Sequence, residues 1–394
     1  MITLHRAPWL LPISSPAIAD GAVIVDGEQI LAVGPYTALR HEEYDRAVYH
    51  EATILMPGLV NAHCHLELSA FAEMANQPVA PGNMPAWIAQ LLALRASRSN
   101  KGDDDRQLAD ATLAAQYADG VALLVDVGNG LFPQVEVHEG IEVHYFTELL
   151  GLSRQGTDFG LQTLADYPAD HKFTCHAPYS TSSALLQAVK EKARMTGQLY
   201  PIHVAESLDE VEFLHTGQGR FRSFLEERGV WDGSFAAPGT GAVNYLARLD
   251  LLDDRTLCVH SVHLDDDEIE LLAHKKAKVC LCPGSNRFLG VGRAQPDKML
   301  AAGLRPCLGT DSLASNPEIS MWREMVILAE DYPGLPPETI LAMATLHGAE
   351  AFGDQSRGRL QAGSSSHFLA VRYEGDEPFE FLVREPAPKE ISWL

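Results

Sequence analysis

Along the first 55 residues, apolar positions come in short bursts, GAVIVDG, QILAVG and ATILMPG, separated by DG and GP turns. No helical period runs through them, so this stretch predicts a series of short strands. From residue 56 the rhythm changes to apolar runs alternating with helical segments. The runs are GLVNAHCHLE, VALLVDVGN, EVHYFTELLG, FTCHAPYS, LYPIHVAES, TLCVHSVHL, AKVCLCPGSN and RPCLGTDS. Helical stretches such as MPAWIAQLLALRAS, SALLQAVKEKARM and DEIELLAHKK lie between them. Nearly continuous apolar strands alternating with helices predict a parallel sheet covered on both faces. Eight such units within residues 56–354 predict a (β/α)8 barrel of the TIM type. The segment Ser207-Leu-Asp-Glu210 reads as a capping box opening the helix after the fifth barrel strand. An insertion at about 220–255 falls between strands five and six, where barrel loops shape a pocket. Near the end the strand pattern returns in GRLQAG, HFLAVRY and EFLVRE. Residues 1–55 and 355–394 are therefore expected to form one small β-sandwich domain built from both chain ends.

Composition narrows the function. The 394 residues carry a formal net charge of −23. A chain this acidic is repelled by a phosphate backbone and by an anionic bilayer surface, which argues against nucleic-acid and membrane partners. No run approaches the ~18 apolar residues of a membrane span, and the first residues lack the basic start and long apolar core of a signal peptide. The six cysteines include no CxxC pair and sit mostly in strand-like runs. Buried free thiols in a reducing, cytoplasmic compartment are expected.

The chemistry is concentrated at the ends of the expected barrel strands. His63 and His65 lie two apart in VNAHCHLE, so strand alternation points both imidazoles the same way. Strand five ends in His203 and Glu206, strand six in His260 and strand eight in Asp311. Ionisable residues gathered at C-terminal strand ends occupy the catalytic face of a barrel. Imidazole and carboxylate together suit a divalent transition metal with an open position.

The ordered set HCHLE, HAPYS, HVAE, HSVHL, CPGSN and GTDS resembles the amidohydrolase superfamily, in its mononuclear branch of nucleoside and nucleobase deaminases and chlorohydrolases. The resemblance covers nearly the whole chain. It implies that His63, His65, His203 and Asp311 are the metal ligands, that Glu206 shuttles protons, and that His260 orients the activated water. It implies that His176 touches substrate and hints at a homodimer. The dinuclear members bridge two metals through a lysine on strand four. No lysine follows His176 before the next helix, so one ion is expected, zinc by its nitrogen-rich ligation, with iron the alternative.

For the substrate, Glu148 at the end of strand three, Trp87 and Arg95 in the helix after strand one, and Asn286 and Arg287 in CPGSNRF are the candidate contacts. HLELSAF and HVAESLDEVEFLHTGQGRFRSFLEERG are similar to aminodeoxyfutalosine deaminases of the alternative menaquinone pathway, whose substrate is an adenine nucleoside carrying a benzoate. The expected reaction is ammonia release from 6-aminodeoxyfutalosine. Methylthioadenosine or adenosylhomocysteine deamination is the alternative, ahead of triazine dechlorination, which needs no proton delivered to its leaving group. A non-catalytic metal-binding protein is the contrasting reading, and no catalytic position is missing to favour it.

Overall fold

The computed structural model describes residues 1–77, 79–98, 102–129, 140–386 and 389–394. Five strands open the chain: β1 (Ile2–Leu10), β2 (Ile18–Asp26), β3 (Gln29–Pro35), β4 (Arg46–Tyr49) and β5 (Thr53–Pro57). Eight more follow: β6 (Leu59–Cys64), β7 (Val121–Gly128), β8 (Glu142–Leu149), β9 (Phe173–Cys175), β10 (Tyr200–Val204), β11 (Thr256–His260), β12 (Lys278–Leu281) and β13 (Cys307–Leu308). They occupy the eight apolar runs singled out in the sequence. Two last strands, β14 (Phe368–Arg372) and β15 (Ile391–Trp393), close the chain.

The two chain ends share one sheet. Its order is β15-β14-β5-β1-β2-β3, with β4 also on β1. β14 runs antiparallel to β5 with Leu369 opposite Met56, while β1 pairs with β4 at Thr3–Arg6 and with β5 at Trp9 and Leu10. This sheet has seven strands, and its nine-residue β1 serves two successive neighbours, β4 and β5, along one edge. The tail departs from expectation. GRLQAG belongs to no strand, and EFLVRE lies in the helix Pro378–Arg384. Proline suits a first helical turn, and Leu382 and Val383 become buried as this helix packs against the helices Met321–Asp331 and Pro337–Met343.

β6 to β9 and β10 to β13 form two four-stranded parallel sheets. Every residue of β7 is buried, as expected for a strand covered on both faces. The two sheets meet along two seams. At one, the His203 amide donates to the His176 carbonyl at 2.9 Å; at the other, the Thr310 and Asp311 amides donate to the His63 carbonyl at 3.0 and 3.1 Å. Gly309 is required at the second seam, since a Cβ there would lie 2.8 Å from the His63 backbone. All six cysteines are free and buried. Among the described residues no helix is long and apolar enough to cross a membrane.

The helix Leu346–Phe352 packs on β6 and β13 and carries a buried His347, whose Nδ1 donates to the Pro306 carbonyl at 2.9 Å. Burial pushes its pKa down to about 4. A histidine whose folded pKa lies below its unfolded value stabilises fully above about pH 6.5 and loses that contribution as pH falls toward the folded value. Between about pH 7 and pH 4.5 the group is expected to remove about 2–3 kcal/mol. Urea unfolding of His347→Gln at both pH values should show a correspondingly smaller acid loss than the parent. Equal losses in the two proteins would refute this assignment.

Candidate active site

The site lies where the parallel strands end. His63 is on β6, and His65 stands one residue beyond it at the start of a 3-10 segment, Leu66–Asn76. His203 is on β10, Glu206 two residues past that strand, His260 ends β11, and Asp311 follows β13. Three of these strand ends turn sharply: Ala205, His260, Ser261 and Asp311 have φ of 50°, 68°, 49° and 57°. Left-handed backbone at residues other than glycine costs on the order of 1–3 kcal/mol each and persists where the surroundings enforce it, often at functional sites.

The side chains converge tightly. His203 Nε2 lies 3.1 Å from His63 Nε2 and 3.4 Å from His65 Nε2. Asp311 Oδ1 is 3.5 Å from His65 Nε2 and 3.9 Å from His63 Nε2. The Nδ1 atoms of His65 and His203 face the carbonyls of Val127 and His176 at 2.6 and 2.9 Å, which places their protons there and leaves each Nε2 lone pair aimed inward. Asp311 Oδ2 accepts from Ser285 and Ser315 hydroxyls at 2.6 and 2.8 Å, leaving Oδ1 for the cluster. Inward-facing lone pairs repel unless a proton or cation lies among them. Ligand atoms around tetrahedral zinc stand about 3.3 Å apart, and the histidine separations fall in that range. Burial and neighbouring imidazoles hold the pKa values of His63 and His203 well below normal, which keeps both rings in the neutral form a metal requires. On His65 burial acts the same way but is outweighed by Asp311 and Glu148, so its pKa rises. Burial would raise the Asp311 pKa, yet His65, His260 and His203 outweigh it and lower it.

Beside this cluster, Glu206 Oε1 is 3.6 Å from His260 Nε2. Burial, with Asp311 adding to it, pushes the Glu206 carboxyl up to about 8. The expected capping box is half realised. Ser207 caps the helix Leu208–Thr216 by accepting from the Glu210 amide, but the Glu210 carboxylate reaches further back, to the Ala205 and Glu206 amides at 3.0 and 2.9 Å. It therefore clamps the strained turn that aims Glu206.

A cavity of about 410 Å3 opens over these groups. Trp87, Arg95, Glu148 and His176 all line it. The Trp87 indole donates to the Ala314 carbonyl at 3.2 Å; Arg95 is held 2.7 Å from Glu67 and 3.1 Å from Asn129. Glu148 accepts from Asn129 at 3.0 Å with its other oxygen buried and without a hydrogen-bond partner, and His176 Nδ1 is 2.7 Å from the Ser180 hydroxyl. Asn286 and Arg287, the other two expected substrate contacts, are not among the residues lining this cavity. Asn286 Oδ1 sits 2.9 Å from His260 Nδ1 and fixes that ring from behind. Arg287 lies outside the cavity lining, tied to Glu330 and Asp331 at 2.6 and 2.7 Å. Adjacent residues on a helix point about 100° apart, so one position of CPGSNRF facing the site sends its neighbour elsewhere. The sequence marked Glu210 only as part of a capping box and gave no sign of the roles of Ser285 and Ser315. A serine or glutamate near a motif carries no mark of the hydrogen bond it will make, although HVAESLDE did contain the clamp.

The chain is 28% identical to a 5-methylthioadenosine/S-adenosylhomocysteine deaminase of Moorella thermoacetica over 392 residues, covering 92% of this chain and 83% of the relative. It is 27% identical to an aminodeoxyfutalosine deaminase of Deinococcus radiodurans, covering 86% and 83%. The crystal structure of Helicobacter pylori aminofutalosine deaminase with methylthio-coformycin superposes with a TM-score of 0.82 at 22% identity, covering 98% of this chain and 97% of that one. Residues 148–389 match the model of the amidohydrolase family, and the chain belongs to that family.

Proposed function

We propose that this protein is a metal-dependent hydrolytic deaminase that releases ammonia from an aminopurine nucleoside, with 6-aminodeoxyfutalosine its preferred substrate. The observation that carries the proposal is the convergence of His63, His65, His203 and Asp311 beside Glu206 and His260 at the floor of one cavity. The proposed frame is a closed (β/α)8 barrel over 56–354 beside a β-domain from 1–55 and 355–394; the hydrogen bonds across both seams and the shared terminal sheet support it.

In this reading His63, His65 and His203 through Nε2 and Asp311 through Oδ1 would hold one divalent ion, zinc by the donor set. When bound, that ion supplies Lewis-acid activation of water near neutral pH. The chain's own residues do the rest. Glu206 takes a proton from the attacking water and gives it to the ring nitrogen as water adds across the ring C=N bond. It then carries the new hydroxyl's proton to the exocyclic amine, which leaves as ammonia while the carbon becomes a carbonyl. The His260 ring, fixed through Nδ1 by Asn286, presents Nε2 to the reacting oxygen. Trp87 and the apolar wall enclose the purine and exclude bulk water.

A second reading, methylthioadenosine or adenosylhomocysteine deamination, is favoured by the Moorella relative. Ammonia release from metal-loaded protein, measured across adenosine, these two nucleosides and 6-aminodeoxyfutalosine, separates the readings. The last should give the highest kcat/KM. No turnover of any of them would end the deaminase proposal.

A further inference from the structure

Resting on the deaminase reading, we propose that Arg228 is the residue of this cavity that recognises the carboxylate of the proposed nucleoside. The buried end of the cavity is rich in carboxylates: Glu67, Glu148, Glu206 and Asp311 are all buried there. A further anion is repelled from that end. Of the two arginines in the lining, Arg95 is already engaged by Glu67 and Asn129. Arg228 is not so engaged. It caps the helix Arg220–Glu227, is exposed at the rim, and makes no ion pair among the described residues. In a chain with 53 acidic and 30 basic residues, a guanidinium beside a cavity that none of those carboxylates claims is open to an anionic ligand. The nearest candidate in sequence, Glu226, is held by Arg222 at 2.6 Å.

Much of the remaining lining is apolar. Leu150, Leu152, Phe224, Leu225 and Val230 line the cavity beside Arg228. The Arg228 guanidinium lies 5.8 Å from the Phe224 ring centroid, and its amide donates to the Phe224 carbonyl at 3.1 Å, so the helix end fixes where the side chain starts. A ligand filling this cavity would set its amidine against the buried polar groups, an apolar or aryl body against these side chains and a negative charge at Arg228. A single guanidinium fork fits a carboxylate in bidentate fashion. A phosphate dianion would call for additional donors that the apolar wall does not offer. The inserted segment thereby acquires a role, because it carries Phe224, Leu225, Arg228 and Val230 to the cavity.

The test uses zinc-loaded full-length enzyme and a matched pair of substrates, an adenine nucleoside whose 5′ substituent ends in an aryl carboxylate and the methyl ester of the same compound. The parent enzyme should prefer the acid by about 10-fold in kcat/KM, the preference residing in KM and shrinking as ionic strength rises. Arg228→Gln should bring the acid-to-ester ratio close to one, and Arg228→Lys should keep part of it. A ratio unchanged in Arg228→Gln, or a loss that strikes acid and ester equally, overturns this inference while leaving the deaminase reading intact. If the parent enzyme deaminates neither compound nor any other aminopurine nucleoside, the deaminase reading fails first and the inference falls with it.

Discussion

Glu206→Gln should lower kcat by about 10³-fold while metal content and melting temperature stay at parental values. The substitution keeps shape and removes only the capacity to gain and lose a proton. The surroundings make that capacity the natural role of Glu206. Its backbone is clamped by Glu210, its carboxyl is buried, and burial together with Asp311 raises the carboxyl to about 8. A buried carboxyl beside the reacting groups is placed to pass protons to both a ring nitrogen and a leaving amine, which is what such a shuttle must do. His260 stands beside it, with Nδ1 committed to Asn286 and Nε2 facing Glu206. Ammonia release measured beside metal analysis decides the matter. If the variant keeps activity within a few-fold of the parent, the assignment of Glu206 as shuttle is wrong.

The second large effect concerns the ion. Chelator-stripped protein should lose deamination to background and regain it on adding a divalent ion, with about one equivalent bound per chain. Asp311→Ala should neither hold that equivalent nor recover. Removing the carboxylate also frees the Ser285 and Ser315 hydroxyls that hold it, and takes from the proposed ligand set its one anionic member. Saturation of the parent at about 1,000 times the dissociation constant should add about 4 kcal/mol of stability, visible as a higher melting temperature that Asp311→Ala lacks. A stripped enzyme with undiminished turnover would remove the metal from the proposal altogether.

Legibility in the sequence varied with the physical range of the signal. The eight barrel-type runs were readable because a strand buried on both faces needs an unbroken apolar stretch, as β7 illustrates. The HxH spacing of His63 and His65 was readable for a similar reason: side chains alternate along a strand whatever lies around it. The tail was not. In EFLVRE the apolar residues serve strand and helix patterns equally well, and contact with the helices Met321–Asp331 and Pro337–Met343 favoured helix. The partners of Asn286 and Arg287, His260 for one and Glu330 and Asp331 for the other, were not legible, because spacing places a residue near a strand end without fixing which neighbour receives it.

From the chain alone came the alternation of strand and helix, the acidic balance that disfavours nucleic acid, and the identities of the six ionisable residues at strand ends. These follow from periodicity and composition, which are local properties. The folded molecule decided the rest: that His203 comes within 3.1 and 3.4 Å of His63 and His65 and Asp311 within 3.9 and 3.5 Å of the same two, that Asn286 serves His260, and that Arg228 rather than Arg287 borders the cavity. Such choices depend on side-chain direction and on partners far away in the chain, and only packing sets those.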